Sequence, residues 1–169
     1  MVIEAIGRRL RLAMVGGGPG SVIGEVHRIA APLDGPYEIV ASALSSDPER
    51  ARRAGVAIGV PEDRAYPSAR ALIETEAERA DRVDVIAVMT PNDSHHDICS
   101  LALDAGFHVI CDKPLTTDLA AAVTMLGAWI AGPRFHCKRR RPYTFMACPS
   151  KVYESGAAPV KNVRLKGLG

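Results

Sequence analysis

The stretch "RLAMVGGGPGSVIGEVHRIAAPL", residues 11 to 33, decides how the chain begins to fold. A short apolar run, Leu12 to Val15, ends in a cluster of glycines, and beyond them Val22, Val26, Ile29 and Leu33 recur at helical spacing. That pattern is a strand, a turn and a helix. A strand-to-helix turn that receives a dinucleotide needs one glycine for the sharp bend, a second for close approach of the pyrophosphate, and a third so that helix and strand can pack. Gly16 and Gly18 suit the first two roles. The third glycine of a strict G-x-G-x-x-G would stand at Ser21, and Gly24 comes three residues later. The spacing predicts a loop enlarged by Pro19, Gly20 and Ser21. Gly24 is then the packing glycine, and the amides around Gly20 to Val22 face a phosphate at the positive end of the helix. Similar turns serve methyltransferases and plain structural bends, so the turn alone selects no ligand.

The same alternation continues outward. "YEIVASAL" reads as the next strand, and "SDPERARRAG" as a short helix opened by Asp47 and Pro48 and closed by Gly55. "SARALIETEA" is a surface helix. "VDVIAVMTP" is the most hydrophobic strand and fits a central parallel position covered by helices on both faces. Ser94 or Asp93 is placed to cap a helix whose face carries Ile98, Leu101, Ala102 and Ala105, with Gly106 as its stop. "FHVICDKP" is a further buried strand. Thr116 or Thr117 would cap a last helix with Leu119, Val123, Leu126 and Ile130 on its inner face. The order β, α, β, α, α, β, α, β, α predicts an α/β fold with a doubly wound parallel sheet of the Rossmann type, whose ligands bind beyond the carboxyl ends of the strands.

Composition divides the chain near Gly132. Residues 1 to 130 hold 12 Lys and Arg against 18 Asp and Glu, a net of −6, and residues 131 to 169 hold 9 against 1, a net of +8. The expected organisation is one domain over residues 10–131 and a basic, irregular tail over 132–169, at a total length that suits one sizeable core. No apolar run reaches about 18 residues and no signal-peptide layout opens the chain, so the expectation is a cytoplasmic protein without a membrane partner. Cys99, Cys111, Cys137 and Cys148 form no C-x-x-C pair, and no metal site is expected.

Two later segments narrow the reading. "TPNDSHHDICSLALDAGFHVICDKPLT" resembles the signature region of the Gfo/Idh/MocA family, the glucose-fructose oxidoreductase and inositol dehydrogenase group. In that family a strand ends in a Pro-Asn pair with a histidine three residues after the Asn, and the next strand ends in Glu-Lys-Pro. Here these are Thr90, Pro91, Asn92 and His95, then Asp112, Lys113 and Pro114, with Asp in place of the commoner Glu. His27, three residues after Gly24, also fits the family's first helix. The resemblance covers about residues 10 to 130. It implies NAD(P)-dependent hydride transfer to or from a sugar, cyclitol or related polyol, with Lys113 catalytic beside the nicotinamide and the substrate hydroxyl. The motif residues would bind the cofactor. It also implies homo-oligomerisation through the sheet of a substrate domain of roughly 200 further residues, which carries a catalytic histidine of D-x-x-x-H type. No counterpart of that histidine is expected in this chain.

The choice of cofactor turns on the second strand. NAD sites usually end this strand in Asp or Glu, which holds the ribose 2′-hydroxyl, whereas "ASALSSDPER" offers Ser45 and Ser46. A 2′-phosphate would meet no carboxylate there, and Arg50 could approach it, which favours NADP over NAD. Asp47 is the competing reading, as a ribose acceptor or as a helix cap. His96 and His108 have no motif around them and read as solvent-facing and strand-flanking.

The tail has three readings. "KRRRP" with Tyr143 and Phe145 has the composition of a nucleic-acid contact, but a like-charge run is more commonly a solvated segment, so nucleic acid is not the expected partner. The break at Gly132 also suits a truncated chain or gene remnant. "SGAAPVKNVRLKG", with Val160, Val163 and Leu165 as apolar positions, suits the first strand of a substrate domain. The runner-up to the enzyme reading is a noncatalytic dinucleotide-binding or interaction module.

Overall fold

The computed structural model describes residues 7–33 and 35–131 of the 169-residue chain, and the basic tail lies outside them. Four parallel strands form one sheet: β1 (Leu10–Gly16), β2 (Tyr37–Ala43), β3 (Val85–Met89) and β4 (His108–Cys111), in the spatial order β2-β1-β3-β4. Five helices connect and flank them: α1 (Val22–Leu33), α2 (Pro48–Ala57), α3 (Ala69–Glu78), α4 (His95–Asp104) and α5 (Leu119–Ala131). Short 3-10 turns at Glu62–Arg64 and Asn92–Ser94 complete the path. This is the expected doubly wound α/β topology, with its switch point between β1 and β3.

Alternation along the strands distributes two cores. Ala13 and Val15 of β1, Ile86 and Val88 of β3, and Val109 and Cys111 of β4 face α3, α4 and α5 through Leu72, Ile73, Cys99, Ala102 and Met125. Leu12, Met14, Val85, Ala87 and Met89 point to the opposite face, where Ala31 of α1 and Ala54 of α2 meet them. All five residues of β3 are buried, as its unbroken apolar run predicts.

A polar clamp lies beside the first core. Glu76 of α3, wholly buried, accepts from Arg64 Nε at 3.0 Å and Nη2 at 2.6 Å, from the Tyr66 hydroxyl at 2.8 Å and from the Val83 amide at 3.0 Å. Every bond of the carboxylate is therefore to a residue outside α3, which fixes that helix to the chain entering β3. Burial and the Glu76 carboxylate push the Tyr66 phenol well above its ordinary range. At the strand's other side Arg82 donates to the Ala105 and Gly106 carbonyls and lies 4.1 Å from the Phe107 ring, closing the end of α4.

Several local expectations change in three dimensions. α2 does not stop at Gly55; that residue is buried where a Cβ would meet Ser42 Oγ at 2.5 Å, and Gly59, at φ +89°, follows the true end. Asp47 caps α2 by accepting from the Arg50 amide at 2.7 Å. Ser94 precedes α4 without capping it: its hydroxyl donates to the Pro91 carbonyl at 2.7 Å, and its oxygen accepts from the Thr90 hydroxyl at 2.8 Å in place of a helix amide. Asp118, rather than either threonine, caps α5 by accepting from the Ala121 amide at 2.9 Å. On α5 Leu119 and Val123 are exposed and Met125 is buried, since the helix turns its other side to α4; the side chains of Leu126 and Ile130 lie outside the described residues. On α1 the stripe Val22, Val26, Ile29 and Leu33 faces outward, because the close approach at Gly24 turns that face of the helix toward β1. Cys137 and Cys148 also fall outside the description.

Candidate functional site

Parallel pairing brings the carboxyl ends of three strands to one level. Gly16 stands opposite Met89, Val88 stands opposite Cys111, and the Asp112 amide donates to the Val88 carbonyl at 3.0 Å. The glycine turn, Thr90 to Asn92 and Asp112 to Pro114 therefore share one edge.

Within the turn the glycines divide the work differently from the linear pattern. Gly16 and Gly17, at φ +78° and +64°, make the bend. A Cβ on Gly16 would meet the Met89 carbonyl group at 2.8 Å and Thr90 Cγ2 at 2.9 Å, so the turn lies directly on the end of β3. Gly18 approaches β2, where a Cβ would meet the Leu44 carbonyl oxygen at 2.5 Å. Gly24 packs on Gly17 so tightly that a Cβ would collide with the Gly17 carbonyl, which fulfils the packing role expected of it. Ser21 acts as the helix cap. Its amide donates to the Gly18 carbonyl at 3.0 Å, its carbonyl accepts from the Glu25 amide at 3.0 Å, and its hydroxyl accepts from the Gly24 amide at 3.2 Å. The Ser21 amide is thus spent inside the turn and is not available to a phosphate, contrary to the row of amides expected from Gly20 to Val22. Val22 and Ile23, the first two residues of α1, keep amides without an intrahelical acceptor, and Gly20 at φ +86° has open space where a side chain would stand. A small open cradle of amides at a helix N-terminus fits an anionic diphosphate.

Beside the turn is a cavity of about 440 Å³, lined by Gly18, Pro19, Ser21, Leu44, Ser45, Arg50, Arg53 and Ala54. Arg50 Nε donates to Ser45 Oγ at 2.9 Å, and Ser45 Oγ also accepts from the Asp47 amide at 3.1 Å. Ser46 is exposed and outside the lining. Arg53 was not among the expected residues, although its place three residues after Arg50 on the same helix face was readable. The cavity walls therefore bring together Ser45, Arg50 and Arg53 with the glycine turn.

The other edge residues are tied by two histidines. His95 is wholly buried, with Nδ1 2.8 Å from the Pro114 carbonyl oxygen and Nε2 2.8 Å from the Thr90 carbonyl oxygen. Both partners are acceptors; a ring with a single N–H donates to one of them, the tautomer deciding which, and both nitrogens face protein carbonyls rather than open space. His27 Nε2 lies 3.0 Å from Asp112 Oδ1, with both side chains about a quarter exposed (25% and 23%). Lys113, Pro114, Pro91 and Asn92 are exposed at the edge, and Lys113 makes no hydrogen bond or ion pair among the described residues. The Lys113–Pro114 peptide is cis. Below the edge, hydrogen bonding with the free Cys111 thiol and burial both push the Cys99 thiol far up, the chemistry of a structural cysteine.

A doubly wound sheet with a glycine turn and an amide cradle at the carboxyl end of β1, and a cavity between that turn and the end of β2, has the features of a dinucleotide-binding domain. Comparison with known proteins makes this specific. Residues 10–130 match the family model described as the oxidoreductase family with an NAD-binding Rossmann fold, GFO_IDH_MocA, and the chain belongs to that family. It is 45% identical over 111 residues, 65% of its length, to the uncharacterized oxidoreductase YfiI of Bacillus subtilis, of which it covers 28%. It is 32% identical over 80 residues, 47% of its length, to an inositol 2-dehydrogenase of Corynebacterium glutamicum, of which it covers 22%. Among solved structures, an inositol dehydrogenase homolog from Azotobacter vinelandii complexed with NADH and myo-inositol is 45% identical at a TM-score of 0.72, covering 75% of this chain and 34% of that one. The chain thus spans about a third or less of the length of these relatives. No described helix is long and apolar enough to cross a membrane.

Proposed function

We propose that this chain is the nicotinamide-dinucleotide-binding part of an oxidoreductase acting on a sugar, cyclitol or related polyol. The observation that carries the reading is the joining of the glycine turn, the cavity wall and the Lys113 segment on one sheet edge. The amides of Gly20, Val22 and Ile23 would hold the pyrophosphate, with Gly16, Gly18 and Gly24 shaping the turn and Ser21 capping the helix. Ser45 and Arg50, with Arg53 added, would receive the adenosine ribose. Thr90, Pro91 and Asn92 would border the far half of the ligand, and His95 would act through the two carbonyls it holds. Hydride transfer is the chemistry that a bound nicotinamide supplies. Lys113, an exposed ammonium at the strand end, would donate to the substrate oxygen and stabilise negative charge on it.

The acid-free end of β2 and the two arginines support room for a 2′-phosphate, hence NADP, while the Azotobacter relative that holds NADH supports NAD for this branch of the family. Parallel titrations of NADH and NADPH, followed by nicotinamide fluorescence, test both points. Micromolar binding of either nucleotide, lost in Gly20→Asp, is expected; a folded chain that binds neither overturns the reading. Gly20 is the position of choice because a side chain there meets nothing within 4 Å. A second reading is a cofactor-binding module without turnover of its own. Cofactor binding with no polyol-dependent reduction of NAD or NADP would select it.

A further inference from the structure

We propose that His27 is a positioning residue that sets the Asp112–Lys113 segment against the glycine turn, so that the two ends of the dinucleotide site are held in register. The inference rests on the dinucleotide reading above and adds a residue to it.

Strand pairing sets this register only through β3 and stops short of the residues beyond the strand ends. β1, which runs into the turn, and β4, which runs into Asp112, are not neighbours; β3 lies between them. The backbone of the Lys113 segment is anchored to β3 through the Asp112 amide and the Val88 carbonyl, 3.0 Å apart. The Asp112 side chain, however, goes to α1, where His27 Nε2 stands 3.0 Å from Oδ1. The next residue on the helix, Arg28, donates from Nη1 to the Gly17 carbonyl at 2.6 Å. Consecutive residues of α1 thus hold one point inside the glycine turn and one point beside Lys113, and the helix between them is rigid because Gly24 locks it on Gly17. The pair is only about a quarter exposed, so it is partly shielded from competing water (25% and 23%). The residue after the tethered carboxylate is the exposed lysine, whose reach toward a substrate depends on where its backbone is held.

The test compares NADH with ADP-ribose, which keeps the adenosine and diphosphate but lacks the nicotinamide. In His27→Leu, NADH affinity should fall about tenfold and ADP-ribose affinity should stay within about twofold. His27→Gln, whose amide N–H can still donate to Asp112, should recover most of the NADH affinity. Equal weakening of both ligands, or no weakening of either, overturns the proposal. A second measurement needs no ligand: amide exchange at Asp112, with Met14 in β1 as the internal reference. Exchange at Asp112 should speed up about fivefold in His27→Leu and recover in His27→Gln, while Met14 stays unchanged. An unaltered Asp112, or parallel acceleration at Met14, again overturns it. If the unsubstituted chain binds neither NADH nor ADP-ribose, the dinucleotide reading fails by itself, and the exchange data still decide what His27 does.

Discussion

The His95 ring stands 2.8 Å from the carbonyl oxygen of Pro114, nineteen residues further along the chain, and its other nitrogen stands 2.8 Å from the Thr90 carbonyl. One buried side chain therefore joins the ends of β3 and β4. Replacing His95 by Ala removes the N–H that lies between these carbonyls and empties a fully buried site, and urea unfolding should show a loss of about 2–4 kcal/mol. His95→Leu, which fills the space but donates nothing, should recover little of it.

The glycines of the turn should separate by what surrounds them. Gly24→Ala drives a methyl group into the Gly17 carbonyl and should cost about 3 kcal/mol or prevent folding. Gly20→Ala meets open space and bears only the strain of a positive φ, about 1 kcal/mol. Thermal melts of the two variants check the order.

If the cavity beside Arg50 receives a 2′-phosphate, Arg53→Ala should weaken NADPH about tenfold and leave NADH nearly unchanged, as read by parallel titration. Equal affinities in the unsubstituted chain and the variant would remove Arg53 from the choice of cofactor.

Asp84 supplies a pH-dependent prediction. Burial pushes its carboxyl up, but the Arg8 guanidinium, at 2.6 and 2.9 Å, and the Arg11 amide, at 2.7 Å, outweigh this and hold it below the usual carboxylate range. A carboxyl lowered by folding contributes stability above its unfolded value, and that contribution disappears as the pH falls through the folded value. Asp84→Asn should therefore be less stable by about 1–2 kcal/mol at neutral pH, with the gap closing below about pH 4. Denaturant midpoints measured across acid pH follow it.

Glu76→Gln should be among the most damaging surface-invisible changes. It leaves the buried Arg64 guanidinium with only the half-exposed Asp81 carboxylate, at 3.2 Å, as an ionic partner, at a cost of about 3 kcal/mol. Chemical unfolding beside Tyr66→Phe, which removes only one neutral donor and should cost about 1 kcal/mol, separates the charge from the hydrogen bond.

The sequence by itself determined the elements and their order, because hydrophobic period and glycine or proline punctuation are local properties: residues 11–33 announce strand, turn and helix before any contact is known. It also supplied the motif residues Thr90 to Asn92 and Asp112 to Pro114. Helix faces were less legible. The spacing of Leu119 and Val123 marks a stripe but not the side on which α4 lies, and Met125 proved to be the buried one. Caps were similarly ambiguous, since Ser94, Thr116 and Asp118 can each accept from a helix amide until neighbours compete for their oxygens. What only the tertiary structure decided was pairing across the sheet edge: His27 with Asp112, His95 between Thr90 and Pro114, Arg53 beside Arg50 and Ser45. Those partners lie far apart in the chain or depend on which way a helix face is turned. Their contacts exist only after β1, β3 and β4 are laid side by side, since side-chain hydrogen bonds act over about 3 Å and carry no trace in sequence spacing.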